Sequence, residues 1–174
     1  MQLTIDNHWQ TTATNGFDRA ENTDITKFAE FITNFPNTEH MTATMTATQQ
    51  GEHVDVILTC CGKQTLWELK SYDNFKPEKP IKYYWLKLNK YKYIQQSIEK
   101  YSPYATYYCM FAGDTDYAYY IDFQTIKANI EGSRYDVHPE YNRATTAGTK
   151  DKYQYEMMIH IPLADMKKIK YKNL

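Results

Sequence analysis

The stretch Val54-Asp55-Val56-Ile57-Leu58-Thr59-Cys60-Cys61-Gly62-Lys63-Gln64-Thr65-Leu66-Trp67-Glu68-Leu69-Lys70 decides how this chain folds. Val54, Val56 and Leu58 recur at every second position, the pattern of a half-buried strand. Cys61-Gly62 supplies a turn, and residues 63–72 form a second strand-forming run. A hairpin pivoting between Cys61 and Gly62 sets Asp55 directly opposite Glu68, and directly opposed residues share a face within about 5.5 Å. Glu68 and Lys70 are two apart on one strand, so both leave that face, while Trp67 and Leu69 leave the other.

Upstream of the hairpin, residues 41–50 alternate Met and Ala with Thr and complete an antiparallel three-strand meander. Ile25, Phe28, Ala29, Ile32 and Phe35 recur at helical spacing, with Asn22, Thr23 or Asp24 as N-cap and Pro36-Asn37 as a stop. Residues 1–23 read as an irregular polar lead or a short element. Downstream, Tyr84, Leu88, Tyr91, Ile94, Ile98 and Tyr101 predict a second helix over 83–101. Strands are expected over 104–111, 117–122 and 156–161, short helices over 123–130 and 163–170, and a long loop over 131–150. The expected class is α/β, a central mixed β-sheet flanked by helices.

The 174 residues carry a formal net charge of -1, so any attraction to a polyanion must be local. Three cysteines, two of them adjacent, make neither a disulfide framework nor a zinc-ligand spacing. The opening residues lack the basic start and apolar run of a signal peptide, and no apolar run is long enough to span a bilayer. A cytoplasmic protein without a membrane partner is expected. Seventeen tyrosines beside six glycines mean that much of the apolar surface carries a polar tip, suited to strands and half-wet binding faces.

Two carboxylates at hairpin distance repel, and Ile57 and Leu66 on the same face keep them from being well solvated. A compensating positive group is required. A hard cation such as Mg2+ takes carboxylate oxygens and water, and Lys70 is placed to hold an attacking water or steady a phosphate. The order helix, three-strand meander, helix, strand, with Asp55 followed by Glu68-Leu69-Lys70, resembles the PD-(D/E)XK nuclease superfamily, whose fold is restriction-endonuclease-like. The twelve residues between Asp55 and Glu68 are similar to the spacing in its archaeal-type Holliday junction resolvases. Val54 stands where the family name has proline.

The resemblance implies one nuclease domain over 1–174, with a core over about 20–112 and a C-terminal addition over about 113–174. It implies metal-dependent hydrolysis of phosphodiesters, DNA before RNA, with Mg2+ or Mn2+ as cofactor. Asp55 and Glu68 would be metal ligands, with the backbone carbonyl of Leu69, and Lys70 would assist the nucleophile. Several branches place a helix-two glutamine beside the site, which falls on Gln95; a helix-edge amide bonded to backbone is the alternative. A helix-one acid falls on Glu21, in line with the apolar stripe if that helix begins before Asp24, or on Glu30, which projects away from it.

Seven lysines stand against two acids between positions 76 and 100, interleaved with aromatic residues. Lys82, Lys87, Lys90 and Lys92 are the candidate nucleic-acid contacts, a solvated helix face being the plain alternative. Lys167, Lys168, Lys170 and Lys172 form a second cluster. The acid-x-lysine pattern recurs at Asp165-Met166-Lys167, but in an expected helix, where such positions point apart. The five histidines show no ligand spacing, and His53 points away from Asp55. A homodimer is left open. A non-catalytic nucleic-acid-binding module and a protein-interaction domain with a tyrosine-rich surface are the rival functions.

Overall fold

The computed structural model describes residues 1–6, 16–35, 40–47, 54–72, 82–113, 115–143 and 153–171. In chain order the elements are β1 (Gln2–Asp6), α1 (Gly16–Thr33), β2 (Thr42–Ala47), β3 (Val56–Cys60), β4 (Lys63–Ser71), β5 (Tyr83–Lys87), α2 (Leu88–Tyr101), β6 (Ala105–Phe111), β7 (Tyr117–Asp122), α3 (Phe123–Glu131), β8 (Val137–Arg143), β9 (Tyr153–Pro162) and β10 (Lys167–Lys170).

The β3–β4 hairpin closes on Cys61 and Gly62, both at positive φ (52° and 73°), the backbone twist a two-residue hairpin turn demands. It pairs Val56 with Trp67 and Ile57 with Leu66, the expected register. β2 lies antiparallel beyond β3, so the meander forms. The sheet then grows in both directions to seven strands in the order β1-β2-β3-β4-β6-β7-β10, with β1 parallel to β2 and β4 parallel to β6. A mixed central sheet in an α/β chain is therefore the architecture. A second sheet, β5-β9-β8, lies beside it.

Alternation on the central strands makes two apolar layers. On one face α1 buries Ile25, Phe28, Phe31 and Ile32 against Val56, Leu58, Trp67 and Leu69. Phe28 has no exposed surface and sits 5.0 Å from the Trp67 ring, so its truncation to alanine should cost about 3–5 kcal/mol. On the other face Leu66, Tyr108, Met110 and Ile121 pack with Tyr84 and Leu86 of β5, Tyr91 and Ile94 of α2, and Phe123 and Ile126 of α3. The two acid-bearing positions face this second layer.

Four expectations are corrected. The first 23 residues are not all irregular lead: β1 joins the sheet through a non-local parallel pairing, and α1 begins at Gly16, eight residues before Asp24. The helix expected over 83–101 begins at Leu88. Tyr83–Lys87 is a strand with Tyr84 and Leu86 buried and Tyr83, Trp85 and Lys87 exposed. Tyr84 and Leu88 are four apart, a spacing that satisfies both the strand and the helix period. The loop expected over 131–150 contains β8, an edge strand, where Pro139 removes no ladder bond that the sheet needs. Residues 163–170 form a 3₁₀ turn, Leu163–Asp165, and then β10, a lysine-rich edge strand paired with β7, in place of a helix. No helix among the described residues is long and apolar enough to cross a membrane.

Candidate active site

Asp55 occupies the bend that enters β3. Its backbone N–H donates to the Trp67 carbonyl at 3.1 Å although Val56 is the ladder partner of Trp67, so two residues meet one and the expected pairing of Asp55 with Glu68 stops one residue short; its Oδ2 accepts from the Leu69 N–H at 2.6 Å. That second bond orients the carboxylate across β4. Glu68 follows Trp67 on β4, with its carboxyl close enough to that of Asp55 to share a hydrogen bond, and it pairs in register with Tyr108 of β6. Its side chain is buried, and Lys90 of α2 brings Nζ to 2.8 Å from Oε2.

Burial pushes the Glu68 carboxyl well above the usual carboxylate range, and the neighbouring Asp55 charge adds to the rise; Lys90 opposes both. Tyr84 and Tyr108 complete the enclosure. They are buried, bonded to each other, with ring centroids 5.6 Å apart. Desolvation first, and the Glu68 and Asp55 charges next, push both phenols well above their ordinary value. They remain neutral O–H groups walling the acids from bulk water.

A third acid approaches from the α1 layer. Asp24 accepts from the Ser71 backbone N–H at 3.2 Å and makes a short contact with the Ser71 hydroxyl, while Lys27 Nζ donates to the same hydroxyl at 2.8 Å. Asp24 is thus tied to the end of β4. Burial raises its carboxyl above the ordinary value against the lowering effects of Ser71, Lys27 and Lys70. Lys70 itself is exposed and leaves β4 on the Glu68 side.

The structure brings together Asp55, Glu68 and the Leu69 backbone. It does not assemble the expected set in other respects. Glu30 is exposed on α1, and Glu21 lies within α1 with a side chain outside the described residues. Gln95 is half-buried on α2, whose buried line runs through Tyr91, Ile94 and Ser97, and it is Lys90 that reaches Glu68. The four lysines do not act as one group. Lys90 turns inward, Lys87 ends β5 and pairs with Glu156 at 2.9 Å, and Lys82 and Lys92 are exposed. Asp165 leaves the 3₁₀ turn to meet Arg134 at 2.9 Å and Tyr135 at 3.0 Å, a structural tie. His53 and Lys172 lie outside the described residues.

Asp24 was hidden because it reads equally well as a helix N-cap; its place one turn before Phe28, beside the buried stripe, was the available signal. His138, Glu140 and His160 gather on the second sheet, a grouping invisible while 131–150 reads as loop. A cavity of about 430 Å3, lined by Ile32, Phe35, Leu58, Trp67, Tyr107 and Tyr120 among others, lies in the α1 layer and faces away from the acidic pair. No protein-family model matches the chain, and no curated protein sequence matches it.

Proposed function

We propose that this chain is a divalent-metal-dependent nuclease acting on DNA phosphodiesters, built on a restriction-endonuclease-like core of the PD-(D/E)XK kind. The observation that carries the reading is the Asp55–Glu68 pair: two carboxyl groups within hydrogen-bond reach of one another, Asp55 tied by its Oδ2 to the Leu69 N–H and Glu68 pushed upward by burial and then by the Asp55 charge. Repulsion of this kind serves no packing purpose. An all-oxygen donor set of two acids fits a hard cation, Mg2+ or Mn2+.

Asp55 and Glu68 would hold the ion, with the Leu69 carbonyl as the resemblance implies. Bound there, the cation would polarise a phosphodiester oxygen and lower the cost of generating the nucleophile. The chain does the rest. The Leu69 N–H fixes the Asp55 carboxylate, Tyr84 and Tyr108 exclude water behind Glu68, and Lys70 presents a cation on the open side. Asp24, bonded to Ser71, steadies the end of the strand that carries Lys70.

One observation favours a second reading, a non-catalytic nucleic-acid-binding module: Lys90 already neutralises Glu68 without any metal. Incubating the protein with labelled single-stranded, duplex and branched DNA, and with RNA, in Mg2+, Mn2+ or EDTA separates the two. Cleavage that requires metal and disappears in Glu68→Gln supports the nuclease. Metal-independent binding without cleavage of any substrate supports the module.

A further inference from the structure

On the second sheet, β8 runs antiparallel to β9 with His138 opposite Met158 and Val137 opposite Ile159. Alternation sends His138 and Glu140 to one face of β8, and His160 leaves β9 on that same face, diagonally across from His138. The His160 N–H is held by the Asp136 carbonyl at 3.0 Å, which locks this register. Glu140 Oε1 lies 3.0 Å from His138 Nε2 and 3.2 Å from His160 Nε2, and the imidazole centroids are 4.0 Å apart. All three donor atoms fall within 4.8 Å of one another.

Two ring nitrogens therefore converge on one carboxylate oxygen. The His160 Nε2 is sealed from solvent, and its approach to Glu140 is not aligned as a directed hydrogen bond. A tetrahedral Zn2+ with ligand bonds near 2.1 Å has donor-to-donor edges of about 3.4 Å; the two edges to Glu140, 3.0 and 3.2 Å, lie close to that, and the edge between the histidines is within 4.8 Å. From this geometry we propose that His138, Glu140 and His160 are a second metal site, selective for a borderline transition-metal cation such as Zn2+.

Imidazole donors prefer such cations to Mg2+, so this site and the acidic pair differ in the ion they take. They also lie on opposite faces of the second sheet. Tyr84 and Leu86 of β5 and Ile159 and Ile161 of β9 point into the core beside Glu68, whereas Tyr83, Trp85 and His160 point outward. Tyr83 and Trp85 flank the His160 ring at 5.7 and 6.1 Å and give the site an apolar wall. The ion would clip edge strand β8 to β9, and three protein ligands leave a fourth position for water or an anionic ligand.

The test is titration of the metal-free full chain with Co2+, read by its visible absorption, followed by Zn2+ competition in calorimetry. In excess Mg2+, which occupies the acidic pair, one equivalent should bind in wild type and equally in Glu68→Gln. His138→Gln and His160→Gln should each weaken binding by about tenfold or more. If the less exposed His160 cannot be replaced without unfolding, His138, whose side chain is 42% exposed, decides the matter. No Co2+ band in wild type, unchanged affinity in the histidine variants, or binding lost with Glu68→Gln would each overturn the site.

Discussion

Lys90 on α2 holds its ammonium 2.8 Å from the buried Glu68 carboxylate, so the second helix supplies the counter-charge for an acid on the central sheet. Removing it leaves a desolvated acid beside Asp55. In EDTA, Lys90→Met should lose about 2–3 kcal/mol at pH 8, less than a fully buried pair would cost because Lys90 keeps 29% of its side chain exposed. The Glu68 carboxyl is raised in the fold, so its favourable contribution is complete below the unfolded carboxylate pKa and is lost as pH rises through the folded value. The Lys90→Met deficit should therefore shrink towards pH 5. Denaturant melts at both pH values check this, and a deficit independent of pH contradicts it.

Asp55→Asn should be neutral or stabilising without metal, because it removes the repulsion of Glu68 while the amide oxygen can still accept from Leu69 N–H. Asp55→Ala, which loses that bond, should cost about 1.5–3 kcal/mol. Mn2+ or Mg2+ at a hundred times its dissociation constant should stabilise wild type by about 2.7 kcal/mol and neither variant comparably. Thermal melts with and without metal decide. A metal-induced rise that survives in Asp55→Asn would remove Asp55 from the ligand set.

Cleavage should disappear in Glu68→Gln and Lys70→Ala with the fold intact by circular dichroism. Asp24→Asn should reduce the rate by about tenfold, as loss of an orienting partner does, whereas exposed Glu30→Gln should leave it unchanged. The opposite ranking of Asp24 and Glu30 would return the helix-one role to Glu30.

DNA binding measured in a Glu68→Gln background should distinguish the lysines. Exposed Lys82 and Lys92 are free to meet phosphate, so at least one alanine variant should lower the slope of log affinity against log salt by about 0.7–0.9. Lys87, engaged with Glu156, should change it little. An unchanged slope in a variant lacking both Lys82 and Lys92 would move the nucleic-acid path elsewhere, with Lys167, Lys168 and Lys170 the next candidates.

What the sequence by itself determined is what one or two neighbouring elements can encode. The turn at Cys61-Gly62 and the alternation around it set the hairpin register from Cys60–Lys63 to Val56–Trp67, because two strands joined by a tight turn have no freedom to slip; the break at Asp55, whose N–H also meets the Trp67 carbonyl, was not legible. The apolar period of α1 set which face packs on Trp67. Only the tertiary structure decided the rest. The parallel pairing of β1 with β2, the bond between Asp24 and Ser71 across 47 residues, and the reach of Lys90 to Glu68 depend on how distant elements dock. Likewise His138 and His160 meet through a strand whose pairing no local spacing announced. Residues 83–87 carry a pattern that both periods accept, and it was burial against Tyr108 and pairing with β9 that chose the strand. Side-chain period is a local property of backbone geometry; which partner covers a face is decided by the whole chain burying its apolar surface at once.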